Sequence, residues 1–278
     1  MRRLLRPAIT ARQALDLCIA SIRDLGLTQR LRLAAATIEA TETAYIAHGN
    51  HATLHLLPGS DGVAGQVSTA EMERVYASTF VRSVRTRHIY DSIKKLPEND
   101  ICPLCGQRTV FTLDHYLPQT AYPALVITSA NLVPACAECN KVKLAFQATD
   151  AGDQTLHPYF DDIDDERWLF ARVEETSPAA LVFLPVPPAC WEEVKRERVM
   201  AHFKTFELGK LYASHSAVEL NNMRFGLREM ARRNSHQEIS DHLRGIAASC
   251  AAAHPNSWQR ATYEALADSV WYCSGGFN

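Results

Sequence analysis

Apolar positions recur at helical spacing through most of this chain and fall into strand-like alternation in only a few short stretches. Thr10-Ala11-Arg12-Gln13 has the form of a capping box, in which an N-cap hydroxyl and a Gln three residues on satisfy each other's backbone N–H. It opens an Ala/Leu/Ile-rich pattern that predicts one helix to about His48. Gly49 to Gly65, rich in Gly, His and Pro, predicts a loop. A second capping box, Ser68-Thr69-Ala70-Glu71, starts a helix that runs through Val75, Tyr76, Phe80, Val84, Ile89, Tyr90 and Ile93 and stops before Pro97. Val110 to Leu117 alternates as a strand does and ends at Pro118, and a helix-like run begins at Asn140 and continues to 146. Trp168–Val173 and Ala180–Val186 predict a hairpin split by Thr176-Ser177-Pro178. From Trp191 onward the helical period returns, with further stretches at Ala217–Asn234, Glu238–His254 and Trp258–Trp271.

The pattern predicts an α+β chain, a mainly helical scaffold with a small inserted βα module. The regions are helical at 1–97, a cysteine-bearing module at 98–160, a β-hairpin at 161–190 and helical again at 191–278. A formal charge of −2 leaves no overall attraction for nucleic acid, so any such contact needs a local basic surface. The helix before Pro97 offers one, with Arg74, Arg82, Arg85, Arg87, Lys94 and Lys95; the same residues also suit a solvated helix face. No apolar run is long enough to span a bilayer, and the basic start Met1-Arg2-Arg3 lacks the apolar core of a secretory signal. The cysteine usage fits a reducing cytoplasm.

The cysteines change the picture most. Cys102-Pro-Leu-Cys105 and Cys136-Ala-Glu-Cys139 are two C-x-x-C knuckles, each beside a turn-forming residue, Gly106 or Asn140. A knuckle supplies two thiolates without strain, and two knuckles supply the four that structural Zn²⁺ prefers. Two local disulfides, or two unrelated buried pairs, are the competing explanations. Cys18, Cys190, Cys250 and Cys273 sit on apolar patterns and read as small core residues.

Between the knuckles stand Asp114-His115 and Asn131, and Asn140 follows directly. A carboxylate, an imidazole and an amide are suited to a hard cation and a water. Neighbouring strand residues point to opposite faces, so Asp114 and His115 need a bulge or a strand end to serve one site. A strand hairpin followed by a helix, pinned by zinc at its base, would bring Asn140 near Asp114.

The elements D114-H115-x-L-P, N131-L-V-P and C136-x-x-C139-N140-x-x-K143 occur in the order found in HNH endonucleases, and the segment 100–160 resembles their ββα-metal core. The resemblance implies His115 as the general base that activates water and Asn131 as the brace of the loop that orients it. It implies Asp114 and Asn140 as ligands of one Mg²⁺ or Mn²⁺ ion. Lys143 and Lys141 would lie near phosphate, with Arg85 and Arg87 as further backbone contacts. His157, in a His-Pro-Tyr-Phe-Asp stretch like that of one HNH subgroup, is either a phosphate contact or a turn-capping residue. The long helical flanks resemble bacterial HNH proteins encoded beside an ATPase in anti-phage systems, the Septu type among them. That likeness implies DNA as substrate and an ATPase as partner. Two other classes fit the same residues: a zinc module that binds nucleic acid or protein without turnover, and an HNH-type ribonuclease toxin. The active-site groups touch phosphate and water, so they do not separate DNA from RNA.

Overall fold

The computed structural model describes residues 1–143 and 148–278, and the part of the expected helix at 144–146 lies outside them. The chain is α+β and mainly helical, with two small antiparallel sheets. It divides into two compact units, Met1–Asp162 and Ile163–Asn278. No helix among the described residues is long and apolar enough to cross a membrane.

In the first unit the Thr10 box forms as the sequence predicts: Thr10 Oγ1 accepts from Gln13 N, and Gln13 Oε1 accepts from Thr10 N. The single helix expected to His48 is instead two, α1 (Ala11–Ile19) and α2 (Leu25–Asn50). Asp24 provides the reason, because its carboxylate accepts from Leu27 N and starts a new helix. The Ser68 box also forms and opens α3 (Thr69–Arg74). That helix widens into a π-helical turn over Val75–Phe80 and stops, and Ser83 caps a fresh helix, α4 (Val84–Lys94). Each break lets two helices cross instead of running on. Ala14, Leu15 and Cys18 of α1 then meet Leu31, Ala34 and Ile38 of α2 and Ile89 and Ile93 of α4 in one apolar core.

A hairpin of two four-residue strands lies against this core through Leu113 and Leu132. Strands β1 (Thr112–His115) and β2 (Leu132–Ala135) pair antiparallel in unbroken register, with Asp114 opposite Val133 and His115 opposite Leu132. The connection from 116 to 131 carries two 3-10 turns, and β2 runs through Cys136 into α5 (Ala137–Lys143).

The second unit pairs β3 (Leu169–Glu174) with β4 (Ala180–Pro185), as the alternation predicted. Helices α6 (Glu193–Thr205), α7 (Leu208–Ala231), α8 (His236–Ala253) and α9 (Trp258–Asp268) follow, with α9 packing on β3 and α7 on β4. Helix α8 starts earlier than Glu238 because Ser235 and Glu238 form a third capping box.

Candidate functional site

The four knuckle cysteines converge. Their Sγ atoms all lie within 4.8 Å of one another, all four residues are buried, and none is in a disulfide. Each knuckle folds around its own sulfur: Arg108 N donates to Cys105 Sγ at 3.4 Å and Cys139 N to Cys136 Sγ at 3.4 Å. Gly106 makes the first turn possible, with φ +64°, in the left-handed region. Packed this closely, the thiols shift one another's proton affinity. Hydrogen bonds, foremost from Cys102, hold Cys105 and Cys136 low, while Cys102 and Cys139 are pushed up. Four convergent, buried cysteine sulfurs can hold a metal ion such as zinc.

The hairpin rising from these knuckles carries Asp114 and His115. No bulge turns them to one side, since the register is regular. His115 is the last residue of β1, and the pair parts at the strand end. The half-buried His115 places Nε2 2.9 Å from Val126 O. A carbonyl oxygen only accepts, so Nε2 carries the proton and Nδ1 keeps its lone pair. Tyr76, from the π-helical turn, sets its ring edge-on to the imidazole at 4.5 Å. Burial pushes the imidazole down to about 4, with the Lys143 ammonium adding to the effect, so the ring is neutral at pH 7.

Asn131, 0% exposed, bridges the two ends of the connection. Its Oδ1 accepts from Leu117 N at 2.8 Å, and its Nδ2 donates to Leu117 O at 3.1 Å and Leu125 O at 3.3 Å. It thus ties the residue two places after His115 to the one just before Val126, whose carbonyl holds the imidazole.

Asp114 turns toward α5. It is 4% exposed, and Nζ of Lys143, a residue that is itself 8% exposed, lies 3.3 Å from Oδ2. Among the described residues the ion pair with Lys143 is the contact that reaches this oxygen. Lys143 spends N–H groups on His115 O at 2.9 Å and Tyr116 O at 2.5 Å. Burial pushes the Asp114 carboxyl up and the Lys143 ammonium down, each against the other's charge. Lys143 therefore clips the strand end to the helix. Asn140, half-buried, stands three residues earlier on the same flank of α5. Asp114 offers one carboxylate and Asn140 one amide oxygen, donor types that a hard cation takes, and the Lys143 ammonium already faces the carboxylate.

The remaining residues singled out in the sequence separate. His157 is 0% exposed, so a phosphate contact is corrected here: Nε2 pairs with Tyr45 Oη at 2.9 Å, and Nδ1 accepts from Tyr159 N at 3.1 Å. The ring lies among Tyr116, Phe160 and Tyr45 as part of the packing. Lys143 likewise faces inward rather than outward to a ligand. Lys141, Arg85 and Arg87 are exposed, and Arg87 is joined to Asp91 at 2.9 Å along its own helix. Sequence reasoning missed Val126, which acts through a backbone carbonyl, and took Tyr76 only as part of a helix pattern, its contact with His115 depending on the π-helical turn.

No protein-family profile matches the chain, and no solved structure matches it. The chain is similar to protein ea31 of Escherichia phage lambda, at 26% identity over 295 residues that cover 99% of this chain and 100% of that protein.

Proposed function

We propose that this chain is a metal-dependent endonuclease of the HNH type that hydrolyses phosphodiester bonds in DNA. The observation that supports it most is the His115 imidazole: neutral, with Nε2–H fixed on Val126 O and Nδ1 left as an acceptor. In this reading Nδ1 takes a proton from a water whose oxygen attacks phosphorus, and the bond to the 3′ oxygen breaks. Val126 O holds the imidazole as it becomes charged, and Asn131 holds the loop that carries Val126. Asp114 and Asn140 would hold one Mg²⁺ or Mn²⁺ ion, which supplies stabilisation of charge on the leaving oxygen. The four thiolates would hold a structural Zn²⁺. Lys141 and Arg85 are the exposed cations suited to the nucleic-acid backbone.

The wider setting we propose is a cytoplasmic effector of a bacterial anti-phage system, restrained by an ATPase partner. The ion pair of Lys143 with Asp114 favours a second reading, since an ammonium already faces the carboxylate. In that reading the module binds zinc and a macromolecule without turnover.

Plasmid cleavage by the zinc-loaded chain in Mg²⁺ or Mn²⁺, beside His115→Ala, tests the proposal. Cleavage that needs the cation and disappears in the variant is expected. Equal cleavage by both proteins overturns the role of His115. Inactivity of the wild type on DNA and RNA, alone and with the ATPase, leaves the non-catalytic reading.

A further inference from the structure

Beside the candidate site is a small cavity whose wall includes His55, Tyr116, Tyr122, Lys143 and Gln154. Its volume is about 50 Å³. At roughly 10–15 Å³ for each water-sized group, it takes a handful of such groups, the size of a phosphoryl group rather than a heterocycle. Lys143 is common to this wall and to the Asp114 contact, so the cavity adjoins the hairpin end.

The chemistry of the wall is set by Gln154, which is 3% exposed. Its Oε1 accepts from His55 N at 3.2 Å, so the other end of the amide is Nε2 without ambiguity. Nε2 donates to Ala52 O at 2.9 Å and faces His55 Nδ1 at 3.0 Å. An amide nitrogen has no lone pair to offer, so Nδ1 must be the acceptor, and the proton of a neutral His55 sits on Nε2. His55 Nε2–H makes no hydrogen bond to protein among the described residues. The two tyrosine hydroxyls of the wall are turned to carbonyls, Tyr116 to Thr155 O and Tyr122 to Leu57 O.

We propose that His55 is a phosphate-binding residue: its Nε2–H, held in one tautomer by Gln154, donates to an oxygen of a backbone phosphate next to the one that is cleaved. This rests on the nuclease reading for the identity of the phosphate. Residues from the loop before α3 and from the hairpin end would then grip successive phosphates of one strand.

Two measurements on the full zinc-loaded chain test it. The first is imidazole ¹⁵N NMR with inorganic phosphate as the probe, His55 being assigned through the signal lost in His55→Gln. The Nε2–H tautomer and a saturable shift of the His55 signals are expected; the Nδ1–H tautomer, or no shift at millimolar phosphate, overturns the inference. The second is cleavage and affinity for a labelled DNA duplex, the latter in a His115→Ala background. His55→Leu is expected to raise Kd about tenfold, with His55→Gln, which keeps a donor, restoring most of it. Cation-dependent cleavage with unchanged affinity in His55→Leu sinks the subsite and leaves the nuclease standing. Absence of any cleavage or binding by wild type fails the nuclease reading, and the phosphate titration then decides the subsite alone.

Discussion

Lys143→Met separates the electrostatic role of Lys143 from its bulk, since methionine fills similar space without charge. In the native chain the ammonium stands 3.3 Å from a carboxylate that is 4% exposed. Breaking a buried pair leaves an uncompensated charge and costs about 3–5 kcal/mol. The carbonyls of His115 and Tyr116 also lose their donor, each worth about 1 kcal/mol. These terms overlap, so we expect a loss of about 4 kcal/mol in the first unit. Asp114→Asn in the same chain removes the stranded charge and should recover about half. All four tryptophans, Trp168, Trp191, Trp258 and Trp271, lie in the second unit, so their emission does not report on this change. Hydrogen exchange of peptides spanning 112–117 and 137–143 does. The nuclease reading adds a further arm: millimolar Mg²⁺ at Asp114 would supply the missing charge and return about 2.7 kcal/mol at a hundredfold excess over Kd. A loss below about 1 kcal/mol, or a double variant no better than the single one, would refute the idea that Lys143 neutralises a buried carboxylate.

Three other outcomes follow from the same structure. Zinc-loaded protein should hold one metal ion per chain; Cys102→Ser or Cys139→Ser should lose it by metal analysis, while a thiol reagent should first modify the exposed Cys190 without releasing metal. His157→Ala should destabilise the first unit by about 3–5 kcal/mol in urea unfolding followed by circular dichroism, with no loss of DNA affinity in protein that remains folded. The Glu71 carboxyl, held down to about 2 chiefly by its hydrogen bonds from Arg30, binds protons less readily folded than unfolded. Its stabilising effect is therefore present above the unfolded value near 4.5 and lost as pH falls toward 2, so Glu71→Gln should flatten that part of the acid unfolding curve.

What was legible in the sequence was what local chemistry decides. The capping boxes at Thr10 and Ser68, the hairpin at 169–185 and the convergence of two C-x-x-C knuckles each follow from residues close together in the chain. The breaks at Asp24 and Ser83 were hidden because apolar spacing carries on through Ile19 and Ile22 and through Phe80 and Val84, and a cap inside such a pattern looks like a surface residue. Lys143 and His157 misled for one reason. Their residue types are usually at the surface, and only tertiary packing says that Tyr116 shields both. Val126 could not be found at all, because a backbone carbonyl has no signature in the side-chain alphabet.

The site depends on fixing a hairpin that is too short to be stable alone. Two four-residue strands form only a few ladder bonds, and an isolated two-stranded hairpin is marginal in water. Three clips make up the deficit. The thiol cluster joins the chain before β1 to the start of α5, closing the base of the hairpin. Lys143 joins α5 to the far end of β1 through the carbonyls of His115 and Tyr116. Asn131 joins the two ends of the connection beside Val126. The imidazole of His115 is held when the strand end and the Val126 loop are both fixed, because its hydrogen bond to Val126 O runs between them. A metal ion in the thiol cluster would thus govern the geometry of His115 without touching it. Any chemistry at His115 should fail on zinc removal even while Val126, Asn131 and Lys143 are intact in sequence.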